Sequence, residues 1–185
     1  MKGEHLYFIA LIPHQKLRET IKILKDEMKT RFNIKHALKS PAHITLQPPF
    51  KKDVTKESDT IQWLEKFALK QEPFNIELSG FGCFSQRVIF VNVISPKLIV
   101  NLHSHLNNEL VKKLNFDKNE IKQNIHPHIT IATRDLNKER FQQAWPEFEM
   151  RTFKARFQVK SIFLLKHNGK QWDIFHEFCF NKFLK

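Results

Sequence analysis

The sequence predicts a mixed helix and strand fold, α+β or α/β, whose sheet is largely antiparallel. Three observations carry this. Segments of helical and strand period follow one another along all 185 residues with no linker or composition break. Two strand-like runs in the middle of the chain, 74–78 and 88–94, lie next to one another. The C-terminal stretch reads as a hairpin turned at Asn168-Gly169, a type I′ signal.

The elements follow in order. A buried strand is expected at 6–13, then a helix over 16–32, because Leu17, Ile21, Leu24, Met28 and Phe32 recur at helical spacing. Arg18, Lys22, Lys25 and Lys29 form a second stripe on that helix, which reads most simply as a solvated face. A strand at 42–47 should stop at Pro48-Pro49. A helix over 57–70 turns Ile61, Leu64, Phe67 and Ala68 inward. The strands 74–78 and 88–94 flank Gly80-Phe81-Gly82. The second sets Val88, Phe90, Asn92 and Ile94 against Ile89, Val91 and Val93, apolar at nearly every position as a central strand is. A helix over 97–114 buries Leu98, Leu102, Leu106 and Leu110, or a face close to that. A strand at 128–133, a short helix at 138–145 and the hairpin 153–166/172–180 complete the chain.

Composition narrows the functions available. Hydrophobic residues make up 41% and charged residues 27%, enough to bury a core and exclude disorder as the default. Lysine and arginine number 31 against 19 acidic residues, a net charge of +12 that favours anionic partners: nucleic acid, nucleotides or an anionic membrane. Four glycines, with neither GxGxxG nor GxxxxGK[ST], argue against a glycine-rich phosphate cradle. Cys83 and Cys179 are too few for a disulfide scaffold or a Cys-rich zinc site, and read as small buried hydrophobes. The apolar run Leu6–Ile12 is far short of the roughly 20 residues of a membrane span. It has no small-residue cleavage site, so a cytoplasmic protein without a membrane partner is expected.

One short repeat stands out. Pro41-Ala42-His43-Ile44-Thr45-Leu46 recurs as Pro127-His128-Ile129-Thr130-Ile131, with the histidines 85 residues apart. In a strand, His43 and Thr45 share one face while Ile44 points to the other, and the same holds for His128, Thr130 and Ile129. Two such units facing one another would hold two imidazoles and two hydroxyls in one cleft. That set suits phosphodiester chemistry without a metal. One imidazole takes a proton from the nucleophile, the other protonates the leaving oxygen, and the hydroxyls donate to non-bridging oxygens.

At these residues the chain resembles the 2H phosphoesterase superfamily, named for its two His-x-Thr/Ser motifs, and within it the 2′-5′ RNA ligase-like and RNA 2′,3′-cyclic phosphodiesterase proteins. The resemblance covers nearly the whole chain and implies one bilobal α+β domain over 1–185. Its pseudo-two-fold antiparallel sheets would line a central cleft, with helices outside. It implies His43 and His128 as the acid/base pair, Thr45 and Thr130 as phosphate ligands, no cofactor, and hydrolysis or reversible formation of 2′,3′-cyclic phosphate or 2′-5′ linkages in RNA or nucleotides. The flank Gln47-Pro48-Pro49-Phe50-Lys51 is similar to that of a less characterised bacterial branch.

Other residues are weighed beside these. His126 shares the face of His128 if the strand is already extended there, and with Arg134 is a candidate for substrate contact. Lys51 could meet an RNA backbone, and Phe50, Phe81 and Phe84 could stack on a base, although core packing is the simpler reading for phenylalanines. His103 and His105 fall in a helix, where residues two apart do not face one another, and no carboxylate or Cys set completes a metal site. A monomer with no obligate protein partner is expected. The competing class is a non-catalytic RNA- or nucleotide-binding module on the same fold.

Overall fold

The computed structural model describes residues 3–181, apart from the side chain of Lys118; residues 1–2 and 182–185 of the expected single domain lie outside it. The order is β1 (Glu4–Leu11), α1 (Gln15–Phe32), β2 (Ile44–Asp53), α2 (Glu57–Ala68), β3 (Phe74–Phe84), β4 (Val88–Ile94), α3 (Lys97–Leu114), β5 (His128–Ala132), α4 (Lys138–Glu149), β6 (Lys154–Val159), β7 (Ser161–His167) and β8 (Trp172–Cys179). A short 3₁₀ turn, His36–Lys39, precedes β2.

The strands form two four-stranded antiparallel sheets, in the orders β2-β1-β7-β8 and β5-β4-β3-β6. The two motif strands, β2 and β5, each occupy the edge of a sheet, and each is reached through a long helix from its neighbour: β1-α1-β2 and β4-α3-β5. One continuous core runs through both sheets and their helices, from Ile9, Leu11, Ile21 and Met28 to Ile89, Val91, Leu106 and Ile131. A small second cluster of Phe8, Ala10, Phe163 and Leu165, with Ile12 and Trp172 against it, lies on the opposite face of the first sheet. That face lines the cleft.

Helix α1 buries the five predicted residues and ends on Asn33, in left-handed conformation with φ 55°. The Ile34 amide reaches back to the Met28 carbonyl, and both side chains are buried, as in a Schellman ending.

Several boundaries differ from the sequence reading. Strand β2 runs through Pro48-Pro49, because it pairs only with β1 and the prolines fall in a bulge between the pairs Ile9–Gln47 and Tyr7–Phe50. Strand β3 runs through Gly80-Phe81-Gly82 past a similar irregularity between Leu78 and Phe81. Helix α4 passes Pro146; burial of Phe141, Ala144 and Phe148 at helical spacing offsets the lost hydrogen bond. Leu98 is exposed rather than buried, lying about 100° around the helix from Ile99, where the apolar stripe begins.

The expected strand 153–166 is two strands in different sheets, broken at Lys160. The type I′ geometry appears at Ser85-Gln86, where both residues have positive φ and the Arg87 amide donates to the Phe84 carbonyl. At 168–171 the chain instead makes a longer loop, closed by the Asn168 side chain accepting from the amides of Lys170 and Gln171. Cys83 is half-buried and Cys179 exposed, so neither is the buried hydrophobe expected. Among the described residues no helix is long and apolar enough to cross a membrane.

Candidate active site

The two edge strands present their motifs to the same cleft. Ile44 and Ile129 are fully buried in the core, and His43, Thr45, His128 and Thr130 stand half-buried on the other face. His43, Thr45, Thr130 and Arg134 line a cavity of about 150 Å³ between the sheets, together with His36, Lys39, Thr133 and others. His128 is not itself in that lining; it lies two residues before Thr130 on the same face of β5, and its charge is the smallest of the influences on His43.

Each imidazole is held in the same way. His43 Nδ1 lies 2.7 Å from the carbonyl of Pro41, and His128 Nδ1 2.6 Å from the carbonyl of His126, two residues back in both cases. A carbonyl only accepts, so Nδ1 carries the proton and Nε2 keeps its lone pair in the neutral ring. Each ring also rests on a buried phenylalanine: His43 on Phe8 and His128 on Phe90, both with centroids 4.8 Å apart.

Burial pushes His43 down to about 4, against the opposing pull of the Pro41 carbonyl and with help from the charges of Lys25 and His128. Burial lowers His128 in the same sense, opposed by the His126 carbonyl and assisted by His126 and Lys122. Near neutral pH both imidazoles are therefore neutral, each with its lone pair on Nε2.

The remaining candidates separate clearly. Arg134, in left-handed conformation with φ 57°, lines the cavity, and its charge contributes to lowering His36 after burial. His126 is exposed beside the cavity rather than in its lining, its ring against Phe84 and Phe90 and 6.3 Å from that of His128. Phe84 flanks both of these histidines. Phe50 and Phe81 belong to the core, and Lys51 is exposed and pairs with Glu4 at 3.5 Å. His103 is buried and bonds Asn107 at 3.0 Å, whereas His105 is exposed.

Sequence reasoning missed four contributors. Phe8 and Phe90 hold the imidazoles from behind; they occupy matching places in similar apolar strands, Tyr7-Phe8-Ile9 and Ile89-Phe90-Val91, a signal that was available. Lys25, assigned to a solvated stripe, is 3% exposed and donates to the carbonyls of Ala37 (2.9 Å) and Ser40 (3.0 Å). It thereby ties down the turn that leads into Pro41 and His43, and burial lowers it to about 8. Asp135 accepts from the amides of Lys35 (2.9 Å) and His36 (3.0 Å), joining the loop after β5 to the turn before β2. No sequence pattern announces that long-range cap.

Comparison with known proteins agrees with this architecture. The sequence model of the 2′-5′ RNA ligase superfamily matches residues 13–171. A protein of Oceanobacillus iheyensis described as "Putative phosphoesterase" is 26% identical over 179 residues, covering 95% of this chain and 98% of that one. Among solved structures, E. coli LigT complexed with 3′-AMP superposes with a TM-score of 0.67 at 15% identity, over 97% of this chain and 100% of that chain. Its complex with NADP+ gives 0.68 at 16% identity, with the same coverage. The protein TT0787 of Thermus thermophilus gives 0.64 at 16%, again over 97% and 100%. With most of its length matched by the family model, and with two antiparallel sheets and outer helices arranged as in LigT, this chain belongs to the 2′-5′ RNA ligase superfamily and has the 2H phosphoesterase fold.

Proposed function

We propose that the protein is a metal-independent phosphoesterase that opens 2′,3′-cyclic phosphates, or cleaves and reversibly forms 2′-5′ linkages, in RNA or nucleotides. The observation that carries this is the matched pair of imidazoles. Each is fixed at Nδ1 by a carbonyl two residues back, backed by a phenylalanine, and followed two residues later by a threonine of the same cleft.

The chemistry follows from that geometry. One Nε2 takes a proton from water as its oxygen attacks phosphorus; the bond from phosphorus to O3′ breaks, and the other imidazole, protonated, delivers its proton to O3′. The product is a 2′-phosphate and a free 3′-hydroxyl. Burial keeps both imidazoles neutral, and the phosphate's negative charge raises the affinity of the nearer one for a proton, preparing the acid. Thr45, Thr130 and Arg134 donate to the non-bridging oxygens, orienting the group in line and stabilising charge that builds there. His126, at the edge, adds a further contact to substrate.

The test is turnover of an RNA ending in a 2′,3′-cyclic phosphate, in the presence of a chelator. His43→Ala and His128→Ala should each lower kcat/KM by roughly 10²–10⁴-fold. Unchanged turnover in either variant overturns the acid/base pairing. Binding without turnover on cyclic phosphates and 2′-5′ oligomers assigns the cleft to a binding module instead.

A further inference from the structure

Buried polar side chains outside the cleft reach the segment 115–127, which joins α3 to β5 and contains a short 3₁₀ turn, Lys118–Glu120. Asn107 of α3 donates through Nδ2 to the Lys122 carbonyl at 3.1 Å, and Gln47 of β2 donates through Nε2 to the Glu120 carbonyl at 2.9 Å. His103, one turn before Asn107, has Nε2 at 3.0 Å from the same amide nitrogen. The Lys122 carbonyl only accepts, so the amide nitrogen must face it, and its second proton goes to His103 Nε2. Burial lowers the His103 pKa, which keeps that ring neutral and able to accept. The amide oxygens of Asn107 and Gln47 are buried with no partner. An amide that leaves its own oxygen unpaired is a costly way to fill space, and what each gains here is a grip on the segment.

Asn107 stands where Lys25 stands in the first half of the chain. Each lies on the buried face of an 18-residue helix, eight residues before the left-handed asparagine that ends it, Asn33 or Asn115. Each also bonds the carbonyl six residues before a motif histidine: Lys25 that of Ala37 before His43, Asn107 that of Lys122 before His128. An ammonium and an amide share little beyond N–H donation. What the two halves have in common is therefore a donor, its place on the helix and the carbonyl it holds.

We infer that Asn107, seated on His103, is a positioning residue for His128. It fixes the segment from Lys122 to His126, and with it the His126 carbonyl that lies 2.6 Å from His128 Nδ1. Asn107 does not line the cavity, so it acts through the backbone and not on substrate. The inference rests on the phosphoesterase reading of that cavity, in which His128 must keep one tautomer, with the proton on Nδ1 and the lone pair on Nε2.

The tautomer is the readout, because a residue that served packing alone would not move it. Imidazole nitrogen NMR shifts should show His128 as the Nδ1–H form in the wild type. They should show a mixture of forms in Asn107→Leu, which is close in volume and lacks the donor, while His43 is unchanged. Lys25→Met should give the reverse, a mixture at His43 and the wild-type form at His128. On RNA ending in a 2′,3′-cyclic phosphate, Asn107→Leu should lower kcat about tenfold or more with KM within twofold, since a misplaced catalytic group slows the chemical step. Asn107→Ala, which opens space where leucine fills it, carries the same readouts if the leucine variant does not fold.

A folded variant that keeps the His128 tautomer overturns the inference, as do equal changes at His43 and His128, which report general loosening. The tautomer needs no turnover, so the two proposals stay distinct. A tautomer change in a protein that hydrolyses neither cyclic phosphates nor 2′-5′ oligomers would remove the reaction and leave the positioning. Hydrolysis by Asn107→Leu at the wild-type rate and with the wild-type tautomer would leave the reaction and remove the positioning.

Discussion

Lys25 occupies a helical position that sequence patterning assigns to solvent, yet it is 3% exposed and has two backbone carbonyls as partners. Its charge is one of the influences that lower His43. Lys25→Met removes the charge and frees the turn before His43, so the His43 pKa should rise, visible by NMR titration of the imidazole; an unmoved value would refute the coupling. Lys25 itself lies at about 8 when folded, against about 10.4 for an unperturbed lysine. The unfolded chain then holds more protons between those values, so stability increases as pH rises through that window. The wild type should show that rise relative to Lys25→Met in urea denaturation followed from pH 7.5 to 10. Gly82 is a second such residue. A Cβ there would fall 2.7 Å from the Phe90 ring and from Asn92 Oδ1. Gly82→Ala should therefore displace the ring behind His128, cost about 1–3 kcal/mol and depress turnover, read by denaturation and steady-state kinetics.

Two copies of one unit account for the elements that matter, and the copies are more alike than the short motif alone suggests. Phe8 and Phe90 are 82 residues apart, as are Asn33 and Asn115; the motif histidines are 85 apart, so the second connection is three residues longer. Helices α1 and α3 each have 18 residues and end on a left-handed asparagine, with Ile34 and Phe116 reaching back to Met28 and Leu110. Asn115→Val should lose about 1–2 kcal/mol, since a β-branched residue resists that conformation, whereas Asn115→Gly should be near neutral. The midpoint of urea unfolding measures both.

The alternation of His43, Ile44 and Thr45 and the stripe of α1 were legible because each is a local period acting on one face. The bulge at Pro48-Pro49 was not, since it depends on β2 having a partner on one side only. The break at Lys160 left a fainter trace. Phe157 and Val159 alternate with exposed neighbours, whereas Ser161 through Leu165 are buried at every position, as a strand covered on both faces must be. Period alone cannot say that the chain changes sheet there.

At the scale of the molecule, the spacing of the two imidazoles depends on how the lobes are joined. Helix α1 lies against β5 and α3 against β2, so each long helix abuts the other lobe's motif strand. At the rear, Glu27 of α1 pairs with Arg31 and Arg151, and Arg31 with Glu147 of α4 at 2.6 Å. The two arginines and Glu147 are exposed and Glu27 is half-buried, so Glu27→Gln should cost about 1 kcal/mol and leave turnover unchanged. The clasp at the cleft is different. Asp135 bonds two amides at the start of the turn that Lys25 also anchors, one residue from Arg134 and in the same segment as the cavity wall. Asp135→Ala releases both amides, at a cost of about 1–3 kcal/mol. It also lets the His43 lobe shift against the His128 lobe. Since a displacement near 1 Å can cost about a hundredfold in rate, kcat should fall tenfold or more while KM changes little. Hydrogen exchange at residues 35–39 should quicken in the same variant. Wild-type kcat in Asp135→Ala, or an equal loss in Glu27→Gln, would mean that the cleft is set by the packed helices and strands alone.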